Sequence, residues 1–139
     1  MIPQQFLDKL FFIPFEEGGR DWSGCDCWGL VRICYKELFD ITLDDYSSIA
    51  YTSMSNLAIT STSITEIIQN DFPFVEVEEP QYGDFVLVNM LGRPVHIGFM
   101  LSPDDMLHTA KQTGVAVENI RGDKWNRRIQ SFHRHKSML

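Results

Sequence analysis

The segment from Gly24 to Val31 constrains the fold of this chain more than any other. From Cys27 onward, apolar residues recur at the three- and four-residue intervals of one helix face: Cys27, Leu30, Val31, Cys34, Tyr35 and Leu38. The pattern predicts a helix from Cys27 to about Phe39, with the Cys27 thiol on its packing face. Free backbone N–H groups and the positive end of the helix dipole favour a thiolate at a helix start. Because the thiolate is the nucleophilic form of cysteine, Cys27 is a candidate nucleophile.

Length and composition are typical of a single globular domain. The 139 residues are enough for one hydrophobic core, and 44% hydrophobic with 22% charged residues is ordinary, so we treat 1–139 as one domain. Three cysteines cannot form a closed disulfide framework. No apolar run is long enough to cross a bilayer, and the N-terminus lacks the features of a signal peptide. The sequence therefore predicts synthesis in the cytoplasm and no membrane partner.

Charge is distributed unevenly along the chain. The formal net charge is −7, yet residues 121–139 carry six Lys or Arg and a single acidic residue. The acidic body disfavours a nucleic-acid partner. We expect the basic C-terminal segment to pair with the acidic body rather than with an acidic partner. His133 and His135, which flank Arg134, are interpreted as part of a solvated tail.

The rest of the chain predicts an α+β fold, with helices first and a β-rich second half. A short helix is expected over 3–12, a surface excursion over 44–63, and a capping-box helix over 64–70. Period-two alternation and turn residues predict the β segments: extended chain at 72–77, strands at 84–89, 95–101, 106–110 and 115–120, and a last short strand ending at 132. The short turns between these strands predict antiparallel neighbours.

Two histidines on neighbouring predicted strands are candidate partners for the thiol. His96 shares a strand face with Gly98, which we expect to leave open space over the sheet. His108 lies on the same face only if paired residue numbers on the two strands have an even sum. On that register, His96 accepts the proton of Cys27 and returns it to a leaving amine, while His108 orients the His96 ring. The Cys27 backbone N–H would help to bind the oxyanion.

Four short motifs resemble those of the NlpC/P60 cysteine peptidases, in the same order along the chain. Asp26–Val31 is similar to the Asp-Cys-x-Gly-Leu-Val nucleophile motif, and Gly83–Val86 to a Gly-Asp pair before a strand. His96–Gly98 is similar to His-Val-Gly, and His108–Ala110 to the segment of the third catalytic residue. Each motif is weak alone, whereas the ordered set is a strong signal.

The resemblance covers about 15–120 and includes a branch-specific feature. Trp28 after the cysteine, preceded by Gly18-Gly19-Arg20-Asp21, is similar to the branch found in phage tail assembly proteins. This implies other phage tail proteins as partners and action in a virion tail or at the bacterial cell wall.

The family resemblance implies a papain-like fold in which N-terminal helices pack on an antiparallel sheet. It also implies hydrolysis of peptide bonds in the stem peptides of peptidoglycan, without a cofactor or metal. In this chain the implied nucleophile is Cys27, the base His96 and the orienting residue His108. The implied supporting or substrate-binding residues are Asp26, Trp28, Gly29, Gly98 and Phe15. Phe15 departs from the pattern, because the family often has at that position a tyrosine whose hydroxyl assists the oxyanion site.

Other interpretations of the same residues remain open. A structural assembly protein of the same fold with little catalysis is the main alternative. A zinc site built from Cys25, Cys27, His96 and His108 is disfavoured, because one residue between two cysteines is not the usual spacing. Cys34 is interpreted as core and Cys25 as structural or incidental. Asp26 orients the motif turn or caps the helix, and Trp22 and Trp28 line a groove or belong to the core.

Overall fold

A computed structural model describes residues 1–44, 73–90 and 92–139, except for the side chain of residue 93. The predicted surface excursion from residue 45 onward and the predicted helix at 64–70 lie outside the described residues. Within those ranges no helix is long and apolar enough to span a membrane.

The described chain has the predicted α+β composition. Its helices are α1 (Gln4–Leu10), α2 (Cys27–Phe39) and α3 (Asp123–Asn126), with a 3₁₀ turn at Lys136–Met138. Its strands are β1 (Arg20–Asp21), β2 (Gly24–Cys25), β3 (Phe74–Val77), β4 (Phe85–Met90), β5 (Arg93–Met100), β6 (Asp105–Ala110), β7 (Gly114–Asn119) and β8 (Ile129–His135). The cysteine-bearing helix has the predicted bounds, and the predicted strands are present with ends shifted by one or two residues, except that the last strand continues three residues further, to His135.

Helix α2 is fixed by caps at both ends. The Asp26 side chain accepts a hydrogen bond from the backbone N–H of Gly29, which satisfies one of the free donors of the first turn. Asp40 ends the helix in the left-handed conformation (φ 53°), and its N–H bonds the carbonyls of Tyr35 and Lys36. The buried residues of α2 run from Cys27 to Tyr35 and pack against β5 and β6.

The six larger strands form one antiparallel sheet in the order β3-β8-β4-β5-β6-β7. Side chains on alternating positions supply two hydrophobic clusters. One cluster joins α1 and α2 to the sheet and includes Phe85, Leu87, Ile97, Phe99 and Leu107. The other is formed by Val86, Val88, Met100, Met106, Ile120 and Trp125. The period-two alternation of β4, β5 and β6 thus divides the core between the two faces of the sheet.

The C-terminal segment is part of the sheet, and its interpretation as a solvated tail is wrong. Strand β8 pairs with β3 on one side and β4 on the other. His133 is 3% exposed and stacks on Phe85, with ring centroids 4.6 Å apart. Arg134 donates two hydrogen bonds of 2.9 Å to the carboxylate of Asp84. This ion pair joins the basic segment to the acidic body, as the charge distribution predicted.

Candidate active site

Asp26 organises the turn that leads into α2. Its carboxylate is fully buried and accepts hydrogen bonds from the backbone N–H groups of Gly29 (2.9 Å) and Gly18 (3.1 Å). The Arg20 guanidinium donates a third hydrogen bond, at 2.6 Å. Burial raises the pKa of the Asp26 carboxyl, while these three donors oppose that rise. Asp26 therefore both orients the motif turn and caps the helix.

The two residues that follow the cysteine are tightly packed. A Cβ atom on Gly29 would lie 2.3 Å from the carbonyl oxygen of Gly19 and 3.0 Å from the Cβ of Cys25. The Trp28 ring is 1% exposed, and its indole N–H donates to the Asp44 carbonyl at 2.9 Å. Both residues support the first turn of α2, and the Trp28 ring belongs to the hydrophobic core.

Trp22, the other candidate groove residue, lies on a different surface. It is 43% exposed and lines a surface cleft of about 240 Å³. The other residues of this cleft come from the polar flank of α2 and the segments beside it: Arg20, Asp21, Arg32, Ile33, Lys36, Glu37, Thr42 and Leu43. Neither the Cys27 thiol nor a histidine lines it.

The Cys27 thiol lies where strands β5 and β6 separate. The register between these strands consists of two pairs, Phe99 with Leu107 and Met100 with Met106, whereas β6 continues to Ala110 beside β7. The backbone N–H of Ile97, in the part of β5 beyond these pairs, is close enough to lower the pKa of the Cys27 thiol. The Cys27 side chain therefore lies near the β5 backbone at the residue that follows His96.

His96 and His108 are in direct contact. The paired residue numbers of β5 and β6 have the even sum that the sequence argument required, so both rings lie on one face. His96 Nε2 lies 2.9 Å from His108 Nδ1, and the ring centroids are 5.1 Å apart. The predicted register is confirmed, and the nitrogen of His96 that faces His108 is Nε2.

Burial, more than the helix start, determines the protonation of the candidate pair. Cys27 is 0% exposed and His96 is 2% exposed. Burial, with a smaller contribution from Asp26, raises the pKa of the Cys27 thiol well above its ordinary value. Hydrogen bonds from the Ile97 and Trp28 N–H groups act in the opposite direction but do not outweigh burial. The expectation of a thiolate favoured by the helix start is thus wrong for this structure.

The imidazole partner is neutral as well. Burial lowers the pKa of His96 to about 3, with a smaller contribution from His108. Within the described chain, His96 Nδ1 is buried and has no hydrogen-bond partner. Near neutral pH the candidate pair is therefore a thiol and an uncharged imidazole, and Nδ1 is the ring atom left to exchange a proton.

Two further sequence expectations about this region are corrected or refined. Gly98 does not leave open space, because a Cβ there would lie 3.0 Å from the sulfur of Met106 and 3.2 Å from a methyl of Val86. Phe15 is half-buried and forms an isolated parallel bridge with Cys25, which places it beside the motif turn without a hydroxyl. Gly98 therefore permits close packing of β5 rather than substrate entry.

The remaining cysteines are buried without a role in the contacts of His96. Cys25 is 0% exposed, and burial raises its pKa to about 12. Cys34 lies in the cluster between α2 and the sheet, as predicted for a core residue. In the part of the chain that the structure describes, no three His, Cys, Asp or Glu side chains are grouped as metal ligands. The alternative zinc site has no geometric support there.

The sequence analysis did not identify Glu118, which contacts the far side of His108. Its Oε2 lies 3.3 Å from His108 Nε2, and the Trp125 ring packs edge-on against the same imidazole at 5.0 Å. The signal was available, because the pairing of Met106 with Glu118 puts Glu118 on the face of His108. Applying the parity argument to one more strand would have identified it.

Comparison with known proteins gives one family match. The profile of the NlpC/P60 family matches residues 13–134. No curated protein matches the chain.

Three solved structures are similar in fold. The NlpC/p60 domain of the peptidoglycan hydrolase SagA is 15% identical, with a TM-score of 0.58 over 93% of this chain and 92% of that one. A Staphylococcus aureus protein described as similar to lipoprotein, NLP/P60 family, is 18% identical, with a TM-score of 0.62 over 95% of this chain. An NlpC/P60 family protein from Bacillus cereus is 17% identical, with a TM-score of 0.60 over 88%. The chain covers 39% and 35% of the latter two structures.

Proposed function

Because this chain belongs to the NlpC/P60 family, we propose that it is a cysteine peptidase that hydrolyses peptide bonds in bacterial peptidoglycan stem peptides. The observation that carries the proposal is the 2.9 Å contact between His96 Nε2 and His108 Nδ1, the arrangement expected of a base and its orienting residue. A cysteine triad requires a nucleophile, a base and an orienting group, and the contact of His96 with His108 supports the last two of these roles.

The proposed reaction starts from the neutral pair. As the Cys27 sulfur attacks the carbonyl carbon of the scissile bond, His96 Nδ1 takes the thiol proton, so no thiolate has to form in advance. The Cys27 backbone N–H donates to the oxyanion of the tetrahedral intermediate. His96 then gives the proton to the leaving amine as the C–N bond breaks, which leaves an acyl-enzyme. A water, deprotonated by His96, attacks the thioester, and the departing thiolate recovers the proton.

The peptidoglycan substrate is supported by family membership and by one similar structure. The SagA domain, which this chain resembles in fold, is described as part of a peptidoglycan hydrolase. Because Cys27 and His96 are buried, substrate binding must separate the residues that cover them. The substrate thus contributes to forming the reactive arrangement, and the free protein stays unreactive toward other acyl compounds.

Digestion of defined muropeptides with a mass readout tests this function. The wild type should release stem-peptide fragments, and Cys27→Ala should release none. Cys34→Ala is the matched control, since it removes a buried thiol from the same helix. That control should retain activity. Cleavage by Cys27→Ala at the wild-type rate would contradict the proposal.

We further propose that the protein acts within a phage or prophage tail, as a tail assembly or tail-tip protein. The support is the Trp28 form of the nucleophile motif together with the preceding Gly18-Gly19-Arg20-Asp21. Synthesis in the cytoplasm followed by incorporation into a virion would bring it to the cell wall. Mass spectrometry of purified tails from producing cells should find the protein among the tail components, and its absence from them would contradict this placement.

The alternative is a structural tail assembly protein of the same fold with weak catalysis. Two observations favour it: burial raises the pKa of the Cys27 thiol, and Phe15 supplies no hydroxyl near the motif turn. It predicts a stable complex with another tail protein that survives Cys27→Ala, together with little cleavage of muropeptides by the wild type. The digestion experiment separates the two functions.

A further inference from the structure

We propose that Glu118 is a positioning residue that sets the tautomers of His108 and His96, and so leaves the lone pair of His96 on Nδ1, where it can act as a base. This inference rests on the proposed function, because the base is needed only if Cys27 acts as a nucleophile. Glu118 does not touch the reacting atoms. It acts through two imidazole rings in series.

The contacts form an unbroken line from strand β7 to strand β5. Glu118 Oε2 lies 3.3 Å from His108 Nε2, and His108 Nδ1 lies 2.9 Å from His96 Nε2. His108 is 2% exposed, while the Glu118 side chain is 26% exposed. The Trp125 ring packs against His108 at 5.0 Å and restricts its orientation. His108 therefore has a neighbour at each of its ring nitrogens, Glu118 at Nε2 and His96 at Nδ1, and His96 joins the line through its Nε2.

The carboxylate selects the direction of the hydrogen bonds. A carboxylate only accepts, and a neutral imidazole has one N–H and one lone pair. Glu118 thus requires the N–H of His108 at Nε2, which leaves a lone pair on His108 Nδ1. That lone pair requires His96 to donate from Nε2. The lone pair of His96 then lies on Nδ1, the buried atom that has no partner among the described residues.

The opposite direction would prevent the proposed chemistry. If His108 donated from Nδ1, its Nε2 lone pair would face the Glu118 carboxylate, an unfavourable contact in a buried site. His96 would then carry its hydrogen on Nδ1 and could not take the thiol proton. Burial lowers the pKa of His108, as does the nearby Lys124, while Glu118 raises it. The net direction keeps the ring neutral near pH 7, with a single N–H to place.

Glu118 also favours the charge that develops on His96 during the reaction. When Nδ1 accepts the thiol proton, His96 becomes an imidazolium whose Nε2–H still donates to His108. The negative charge of Glu118, at the far end of the line, stabilises that cation. Carboxylates that orient metal-binding histidines change metal affinity or activity by roughly 10- to 100-fold when they are removed, which sets the scale expected here. We expect Glu118→Gln to lower kcat by about that factor and to leave KM unchanged.

The direct test is ¹⁵N NMR of protein labelled at histidine, at neutral pH, which reports the protonation of each ring nitrogen without any substrate. In the wild type, His96 and His108 should each be protonated at Nε2 and unprotonated at Nδ1. In Glu118→Gln the amide presents either an acceptor or a donor, so both histidines should shift toward mixed tautomers. Glu78→Gln is the matched control, because it removes one carboxylate next to β3, at the opposite edge of the sheet from β7.

The outcomes separate this inference from the proposed function. Nδ1-protonated His96 in the wild type would overturn the inference, and so would tautomers unchanged by both Glu118→Gln and Glu118→Leu. The Leu variant cannot hydrogen-bond, and thermal melting checks that each variant is folded. If the tautomers respond as expected but the wild type cleaves no muropeptide, the proposed function fails while the role of Glu118 in setting the tautomers stands. If muropeptides are cleaved and the tautomers do not respond, only the inference fails.

Discussion

For the individual side chains of the site, the degree of burial decides the direction in which each pKa is shifted. A charge near a helix end is worth about 0.3 to 1 kcal/mol, whereas one pKa unit is worth about 1.4 kcal/mol and full burial shifts a group by several units. Burial of Cys27 and His96 therefore outweighs the helix start. The sequence could place Cys27 at the start of a helix, but it could not report how completely the surrounding chain excludes solvent.

The raised pKa of Cys27 predicts an unusual alkylation profile. In the native protein, the iodoacetamide reaction at Cys27 should be slow and should increase only above about pH 8.5, the ordinary cysteine pKa, because the thiol is buried. Peptide mass spectrometry after timed alkylation at each pH measures the rate at Cys27 alone. The denatured protein is the control and should react with the profile of a free thiol. A plateau of fast reaction well below pH 8.5 would contradict the neutral resting pair.

The lowered pKa of His96 predicts that the protein loses stability in acid. The unfolded state takes up a proton below the ordinary value of 6.5, whereas folded His96 does so only at about 3. Between those values the unfolded state binds more protons, so the free energy of unfolding falls by about 1.4 kcal/mol per pH unit as pH decreases. This contribution is fully present above pH 6.5. Denaturant titrations at several pH values should show a shallower acid slope for His96→Gln, and parallel curves would contradict this.

Among the secondary-structure elements, those with local signals were predictable. Helix α2 has a clear 3.6-residue period and its cap in the adjacent Asp26, so both of its ends followed from the sequence. An even sum of paired residue numbers was the condition for His96 and His108 to share a face, and the register of β5 with β6 meets it. The sequence predicted too short a strand at the position of β8, because the contacts of this strand are with distant residues. Arg134, for example, pairs with Asp84, fifty positions earlier. Those contacts leave no periodic pattern in the segment itself.

The tight entry into α2 predicts a strong effect of Gly29→Ala. The added Cβ would lie 2.3 Å from the backbone oxygen of Gly19, so the first turn must shift. We expect the free energy of unfolding to fall by about 1–3 kcal/mol, and muropeptide cleavage to be lost because Cys27 moves away from Ile97. Thermal or urea unfolding and the cleavage assay measure the two effects.

Gly122→Ala is the control for that variant. The nearest atom to its added Cβ is the carbonyl oxygen of Asn119 at 3.6 Å, an ordinary contact. Its stability and activity should match the wild type. Equal behaviour of the two glycine variants would show that close packing at Gly29 does not position the thiol.

The ion pair between β8 and the residue before β4 predicts a large effect of Arg134→Ala. Asp84 is 1% exposed and would be left buried without its cation. Loss of one partner of a buried pair costs about 3–5 kcal/mol, and adding Asp84→Asn should restore part of the loss. Arg121→Ala, which breaks the exposed pair with Asp104, should change the free energy of unfolding by less than about 1 kcal/mol. Urea unfolding of the four proteins measures this, and equal losses for the two arginine variants would contradict it.

At the scale of the whole molecule, the site depends on the start of helix α2 and on three neighbouring strands of the sheet, β5, β6 and β7. The start of α2 brings Cys27 to β5 beyond the last pair with β6, while β6 and β7 bring His108 and Glu118 together. The α+β class and the order of the four strands β4 to β7 could be expected from short turns between alternating segments. The opening between β5 and β6 could not, because both strands continue the same alternating pattern through it.

Trapping of the acyl-enzyme tests the central claim most directly. A stem-peptide analogue that carries an electrophile in place of the scissile bond would be incubated with the protein, and the adduct located by peptide mass spectrometry. The account predicts one adduct on Cys27, none on Cys25 or Cys34, and none in His96→Ala. An adduct confined to another residue, or unchanged labelling of Cys27 in His96→Ala, would contradict the proposed pair of nucleophile and base.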